Sequence, residues 1–355
     1  MNVSVQLTTT PKQKPKDEST LRFGTVFTDH MLIIDYDEAN GWHDARIVPH
    51  GPLETDPSMM IFHYGQAIFE GFKAYRCDDG KIRVFRPDMN MKRINNSNAR
   101  LCIPEIDEDE FEKATLKLIE VDKDWVPSYP GTSLYVRPFI IATDACLGVH
   151  AAKTYKYIVI LSPVGPYYAT GLAPVRIYVE DKYVRAVRGG MGYAKTPGNY
   201  AASIKAGEEA AKKGYAQVLW LDGVEHKYVD EVGAMNVFFK IDGKVITPEL
   251  SGSILPGITR NSVINILRDK GIEVEERPIS MKEVFDASQN GTLEEMFGTG
   301  TAAVISPVGE LFWDGETIII NNMETGPLSQ MLYDTVTGIQ SAKLPDPHGW
   351  TKIIG

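Results

Sequence analysis

Apolar positions along this chain come in short runs bounded by polar and turn-forming residues. The segments MLIIDY (31–36), SMMIFHY (58–64), KIRVFR (81–86), SLYVRPFIIAT (133–143) and YKYIVILSP (155–163) are rich in β-branched and aromatic residues. They are short for helices, so each is predicted to be a strand. Among them stands one strong helical pattern, DEDEFEKATLKLIEVDKDW from Asp107, with acids in its first turn and Phe111, Ala114, Leu118 and Ile119 at helical spacing. It ends before Pro127. Further along, RIYVE, QVLWLD, MNVFFKI, KVITPE and AAVISPVG read as strands. AASIKAGEEAAKKG and TRNSVINILRDKG read as helices ended by Gly214 and Gly271.

The resulting class is α/β (α+β), and no repeat of fixed period is present. The first twenty residues carry no periodicity and read as a mobile arm. Pro and Gly concentrate in SPVGPYYATGLAP (162–174), the composition of a linker or an active-site loop. The expected organisation is a flexible arm at 1–26, a small N-terminal α/β domain at 27–163, an interdomain loop at 164–174 and a large C-terminal domain at 175–355.

Composition narrows the functions available. At 355 residues, with 43% hydrophobic and 24% charged, the chain is an ordinary globular one of one large or two smaller domains. Its formal charge of −10 and the lack of a basic run argue against nucleic acid. No apolar stretch is long enough to span a bilayer, and the opening residues lack the apolar core of a signal peptide, so a cytoplasmic location is expected. The 3 cysteines, Cys77, Cys102 and Cys146, form no CxxC pair and read as reduced, partly buried thiols. The 7 histidines form no HExxH or HxH pair, so no metal site is expected.

Chemistry concentrates in glycine-rich segments. RGGMGYAKTPGNY (188–200) places Lys195 among small residues, between Tyr193 and Tyr200. GGMGYAKT comes within one residue of a nucleotide-binding phosphate loop, but Ala194 stands where that motif needs glycine, and YVRAVR before it is basic rather than a buried strand. The segment equally suits a Schiff-base lysine held on a constrained loop, and a solvated loop lysine remains the ordinary alternative. In LPGITRNSVINIL (255–267), Pro256 and Gly257 precede a helix whose first amides, at Ile258 and Thr259, can hold a phosphate. In EEMFGTGTAAVISPV, Gly298 to Ala302 supply amides and hydroxyls in a tight turn. A phosphate-bearing cofactor with a carbonyl that captures Lys195 unites these pieces, and pyridoxal phosphate fits better than a nucleotide.

Taken together, HYGQAIFEGFKAYR (63–76), FRPDMNMKR (85–93), GTSLYVRPFI (131–140), KTPGNYAAS, QVLWLDG, DEVGAMN, ILPGITR and FGTGTAA resemble, in order and spacing, the branched-chain amino acid aminotransferases of the fold-type IV pyridoxal-phosphate enzymes. The resemblance runs from about Phe27 to Trp350. It implies a two-domain fold with pyridoxal 5′-phosphate at the domain interface, in the larger C-terminal domain. By the same resemblance Lys195 is the catalytic lysine that binds the cofactor covalently and shuttles a proton. Glu231 partners the pyridine nitrogen and Tyr200 lies beside the ring's phenolic oxygen. Arg93, the amides of Ile258 and Thr259 and the hydroxyl of Thr301 hold the phosphate.

For substrates, the resemblance implies reversible exchange of the amino group of leucine, isoleucine or valine with 2-oxoglutarate. Tyr64 and the amides near Ala234 and Ala302 would receive the α-carboxylate. Phe69, Tyr135 and Tyr167 would form the apolar pocket, and Arg137 would receive the distal carboxylate of glutamate. Leu147-Gly148-Val149 belongs to a loop that in relatives reaches the neighbouring subunit, which implies a homodimer. The chain departs from its relatives in three places: Ala234 stands for threonine, Thr196-Pro197 for a hydrophobic-glycine pair, and Ala303 and Ser306 where mammalian relatives carry a Cys-x-x-Cys pair. D-amino acid transamination and aminodeoxychorismate lysis are the rival activities that would share Lys195 and Glu231.

Overall fold

A computed structural model of the chain describes residues 1–167 and 171–354, so part of the segment 164–174 expected as an interdomain loop lies outside the described residues. The chain divides into two compact units. The first contains residues 1–167, the short stretch Ala194–Pro197 and the C-terminal stretch from Gly338; the second contains the rest. The catalytic-lysine candidate therefore belongs with the N-terminal unit, as do the last residues, and not with the C-terminal segment around them.

Among the described residues the first unit holds a nine-stranded sheet. Its centre is the antiparallel pair Ser133–Ala142 and Thr154–Val164, in register from Ser133 opposite Val164 to Ala142 opposite Tyr155. On one face Leu32, Ile34, Val136 and Ile140 join Met91, Ile94, Phe111, Leu118 and Ile119 in a single buried cluster. The last five come from the helices Pro87–Leu101 and Glu108–Val121. The second of these starts where its pattern places it, with the Asp107 carboxylate accepting the Glu110 amide at 2.9 Å.

Three features differ from expectation. The SMMIFHY run is a short helix, Met60–Tyr64, with only Met60 buried. Met59 and Met60 are buried while Phe62 and Tyr64 are exposed, so the run does not alternate as a strand would. The helix Pro87–Leu101 is absent from the periodicity because Asn90, Asn95, Asn96 and Asn98 weaken it. Asn95 and Asn98 instead hold the following loop, donating to the carbonyls of Ile106 and Pro104. Cys102 is exposed, whereas Cys77 is buried.

The first twenty-odd residues are tied to this unit by isolated apolar residues, Val3, Leu21 and Phe23, and by many polar contacts. Ser4 and Val5 pair in parallel with Arg46 and Ile47. Lys12 Nζ donates to the Thr28 carbonyl at 2.7 Å, and the Glu18 carboxylate accepts the amides of Ser128 and Tyr129, each at 2.8 Å. Such attachment leaves no hydrophobic period to read.

The second unit, again among the described residues, holds a nine-stranded mixed sheet. The five segments read as strands form Val175–Glu180, Gln217–Leu221, Asn236–Ile241, Lys244–Thr247 and Val304–Trp313. The two read as helices form Pro197–Lys212 and Ile258–Asp269. Gly214 and Gly271, at φ of 85° and 71°, follow them in the left-handed conformation that ends a helix with least strain. Ile177, Leu219, Val237, Phe239 and Leu311 form its core. The helices Met281–Gln289 and Pro327–Gln340 went unread in the sequence.

Candidate active site

In the first unit the stretch Ala194–Pro197 lies along the strand Ala67–Phe69. The Lys195 amide donates to Ser97 Oγ at 2.9 Å, its carbonyl accepts the Phe69 amide at 3.0 Å, and Thr196 Oγ1 donates to the Ala67 carbonyl at 2.9 Å. These bonds hold the backbone on both sides of a half-buried side chain whose Nζ lies 5.0 Å from the Phe69 ring centroid. Pro197 opens the helix Pro197–Lys212, where a missing amide donor is one of those the helix would leave unpaired in any case. The Thr196-Pro197 departure thus keeps the lysine loop anchored. GGMGYAKT lies in turns and is not preceded by a strand, unlike a phosphate loop.

Arg93 is buried in the same unit. Its Nε and Nη2 hold the two oxygens of Glu70 at 2.7 and 2.9 Å, and Asn90 Nδ2 donates to Glu70 at 2.7 Å. Glu70 is fully buried. Burial alone would push its carboxyl up, but the charge and hydrogen bonds of Arg93, with a contribution from Lys195, bring it below the usual range. Sequence reasoning missed Glu70. A single acid inside the apolar run AIFEGF is the signal that could have found it.

Phe69 and Tyr135 come together around the Arg137 guanidinium, and Tyr167 joins them through Phe23. Arg137 Cζ lies 4.9 Å from the Phe69 ring centroid and 5.2 Å from that of Tyr135, and its Nη2 donates to Tyr135 Oη at 3.0 Å. Its Nε is buried with no partner among the described residues. Phe23, from the segment expected to be a free arm, packs edge-on against Tyr135 at 4.8 Å and against Tyr167 at 6.0 Å, a second residue the sequence did not single out. Gly71 is required here, since a Cβ would fall 1.9 Å from Tyr135 Oη. Tyr64 and Val149 are not part of this cluster. Both are exposed, and Tyr64 Oη donates to the carbonyl of Leu147.

The second unit carries the remaining candidates. Glu231, buried on the strand Val229–Val232, accepts the Leu255 amide at 2.8 Å and pairs with Arg185 Nη2 at 3.2 Å. Its neighbour Asp230 is pushed up to about 6, first by burial and further by the Glu231 charge. Of the two acids, Glu231 is the one with the Arg185 guanidinium at ion-pair distance. Ala234 sits exposed at the tip of a tight hairpin, where Val232 and Met235 bond each other's backbones at 2.9 Å in both directions. Tyr200 lies half-buried in the first turn of the helix Pro197–Lys212.

The helix Ile258–Asp269 opens on Gly257 with no side-chain cap. Its ladder begins with the Asn261 amide on the Gly257 carbonyl at 3.0 Å, so the amides of the buried Ile258 and Thr259 lie ahead of it. A β-carbon on Gly257 would fall 1.9 Å from Asn236 Oδ1, and Thr299 Oγ1 is buried without a protein partner among the described residues. Thr301 and Ala302 form the turn after the strand Leu293–Gly300. An uncapped helix start, an orphaned hydroxyl and a backbone that tolerates no side chain suit a phosphate.

Comparison with known proteins places the chain in a family. Residues 67–311 match the family model described as amino-transferase class IV. The chain is 58% identical over 349 residues to branched-chain-amino-acid aminotransferase 2 of Bacillus subtilis, covering 98% of this chain and 96% of that relative. The branched-chain amino acid aminotransferase of Escherichia coli superposes with a TM-score of 0.78 at 28% identity, covering 92% of this chain and 99% of the other. The T.th. branched-chain amino acid aminotransferase complexed with N-(5′-phosphopyridoxyl)-L-glutamate gives a TM-score of 0.75 at 28% identity, covering 91% of this chain and 98% of the other. The chain belongs to the class IV aminotransferases, and within them to the branched-chain-amino-acid aminotransferases. It has the fold-type IV architecture of those enzymes.

Proposed function

We propose that this protein moves the amino group of L-leucine, L-isoleucine or L-valine to 2-oxoglutarate and back, with pyridoxal 5′-phosphate as cofactor, working in the cytoplasm as a homodimer. The observation that carries the reading is Lys195, its backbone bonded on both sides while its Nζ lies beside Phe69 and contributes to the field at Glu70. A relative at 58% identity named for this activity supports it, as does a similar enzyme complexed with a phosphopyridoxyl-glutamate adduct.

Bound pyridoxal phosphate supplies an electron-withdrawing ring and a carbonyl that carries the amino group between half-reactions. Lys195 Nζ would bind it covalently and move the proton at the substrate's α-carbon. Glu231 would hold a proton at the ring nitrogen, and the Tyr200 hydroxyl would face the phenolic oxygen. Arg93, kept in place by Glu70, would neutralise the phosphate along with the Ile258 and Thr259 amides and the Thr301 hydroxyl.

Substrate selection follows from the aromatic cluster. Phe69, Tyr135 and Tyr167 would take an aliphatic side chain, and Arg137, which pairs with no carboxylate among the described residues, would take the distal carboxylate of glutamate. Tyr64 and the backbone at Ala234 and Ala302 would orient the α-carboxylate. Exposed Phe62, Leu147 and Val149, at 58%, 68% and 82%, form apolar surface suited to a second copy of the chain, with Val149 serving the neighbour's pocket. No helix among the described residues is long and apolar enough to cross a membrane.

A panel of L- and D-amino acids with 2-oxoglutarate, read as glutamate formed, tests this function. Turnover is expected with the three L-branched donors; turnover of D-alanine with none of them would contradict it. Gly71→Ala should push Tyr135 away from Arg137 and raise KM for 2-oxoglutarate about 10-fold, roughly 1.4 kcal/mol, in steady-state kinetics. An unchanged KM would remove Tyr135 and Arg137 from the substrate site.

A further inference from the structure

We propose that Asn236 is a positioning residue for the phosphate-binding start of the helix Ile258–Asp269. This rests on the proposed role of the Ile258 and Thr259 amides as part of the phosphate site. Asn236 begins the strand Asn236–Ile241 and is buried. Its Nδ2 donates to the Leu255 carbonyl at 2.9 Å, while the amide of the same Leu255 donates to Glu231 at 2.8 Å. One residue of the turn is therefore gripped at both its polar atoms, on one side by the candidate partner of the ring nitrogen and on the other by Asn236.

The grip continues into the helix. The Asn236 carboxamide occupies the space a side chain at 257 would need, 1.9 Å from the position of its β-carbon, so the turn sits directly on Asn236. Two residues after Leu255 comes Gly257, and the next two amides are those without a place in the helical ladder. Strand register sets Asn236 opposite Thr299, whose buried Oγ1 has no protein partner among the described residues. Asn236 thus fixes where two amides point, and does so from the strand whose partner carries the orphaned hydroxyl. It need not touch the phosphate to act. A glycine N-cap supplies no side chain to direct the helix start, so that task falls to a neighbour.

The test compares affinity for pyridoxal 5′-phosphate with affinity for pyridoxal, which lacks the phosphate, by absorbance titration of the full-length chain freed of cofactor. Asn236→Ala should weaken pyridoxal phosphate by about 10-fold or more and leave pyridoxal within about 2-fold. Gly257→Ala presses on the same contact from the other side without altering Asn236, and should give the same selective loss if Asn236→Ala fails to fold. Ile258→Pro removes one amide donor at a helix position that accepts proline, and reports on the underlying reading separately. If Ile258→Pro lowers the phosphate preference while neither Asn236→Ala nor Gly257→Ala does, the role of Asn236 is overturned. An Ile258→Pro variant with an unchanged preference would instead overturn the helix start as a phosphate site. Equal weakening of both ligands by Asn236→Ala would mark a merely structural residue and also overturn the inference.

Discussion

Lys195→Ala is expected to lower amino-group transfer by on the order of 10⁴-fold, about 5.5 kcal/mol of barrier, because its Nζ is the group proposed both to hold the cofactor and to move the proton. The stretch that carries it is held by backbone bonds to Ser97 and Phe69 and by Thr196 on Ala67, none of which uses the Lys195 side chain. The variant should therefore fold, with a thermal midpoint within a few degrees of the parent protein. Borohydride treatment followed by peptide mass mapping should find cofactor attached at 195 in the parent and nowhere in the variant. A variant that keeps a tenth of the parent's rate would show that another amine does the chemistry.

Glu231→Gln should lower kcat about 10²-fold, about 2.7 kcal/mol, with little change in KM and with cofactor still bound. A carboxamide can still accept the Leu255 amide through its oxygen, so the turn ahead of the helix Ile258–Asp269 keeps that contact. What is lost is negative charge. Arg185 loses its counter-charge, although Nη2 keeps the carbonyls of Ser253 and Gly192. Removing one partner of a buried pair costs about 3–5 kcal/mol of stability, so a lowered thermal midpoint should accompany the slower rate. A variant with unchanged kcat would mean that the ring nitrogen has a different partner.

Much of this architecture was legible because its elements obey simple periods. Strands such as Ser133–Ala142 and Asn236–Ile241 are β-branched and aromatic, and the helix Glu108–Val121 carries both its acidic cap and its apolar stripe. Apolar pattern says nothing where residues act through polar contacts. Glu18 and Lys12, which tether the N-terminal segment, look like ordinary charges of a disordered tail until their backbone partners are known. Phe23 became visible only through its packing on Tyr135. Met60–Tyr64 misled in the opposite sense, apolar in sequence but mostly exposed in place.

The candidate site divides along the same line. Lys195, Arg93 and Glu231 stand out through motif and chemistry, and the resemblance to a known family joins segments that spacing alone could not. Glu70 and Asn236 carry no such mark. One fixes a guanidinium and the other a turn, and both act on backbone or on another side chain rather than on a ligand. Such roles depend on distances between residues 19 to 23 positions apart, which no local pattern encodes.

The most direct measurement is the ultraviolet-visible spectrum of the purified protein, recorded before and after L-leucine, with a separate sample reduced by borohydride. A visible cofactor band that L-leucine bleaches, that 2-oxoglutarate restores, and that borohydride fixes on Lys195 is the expected result. A protein that stays colourless when supplied with pyridoxal phosphate, or a band indifferent to L-leucine, would contradict the proposed function.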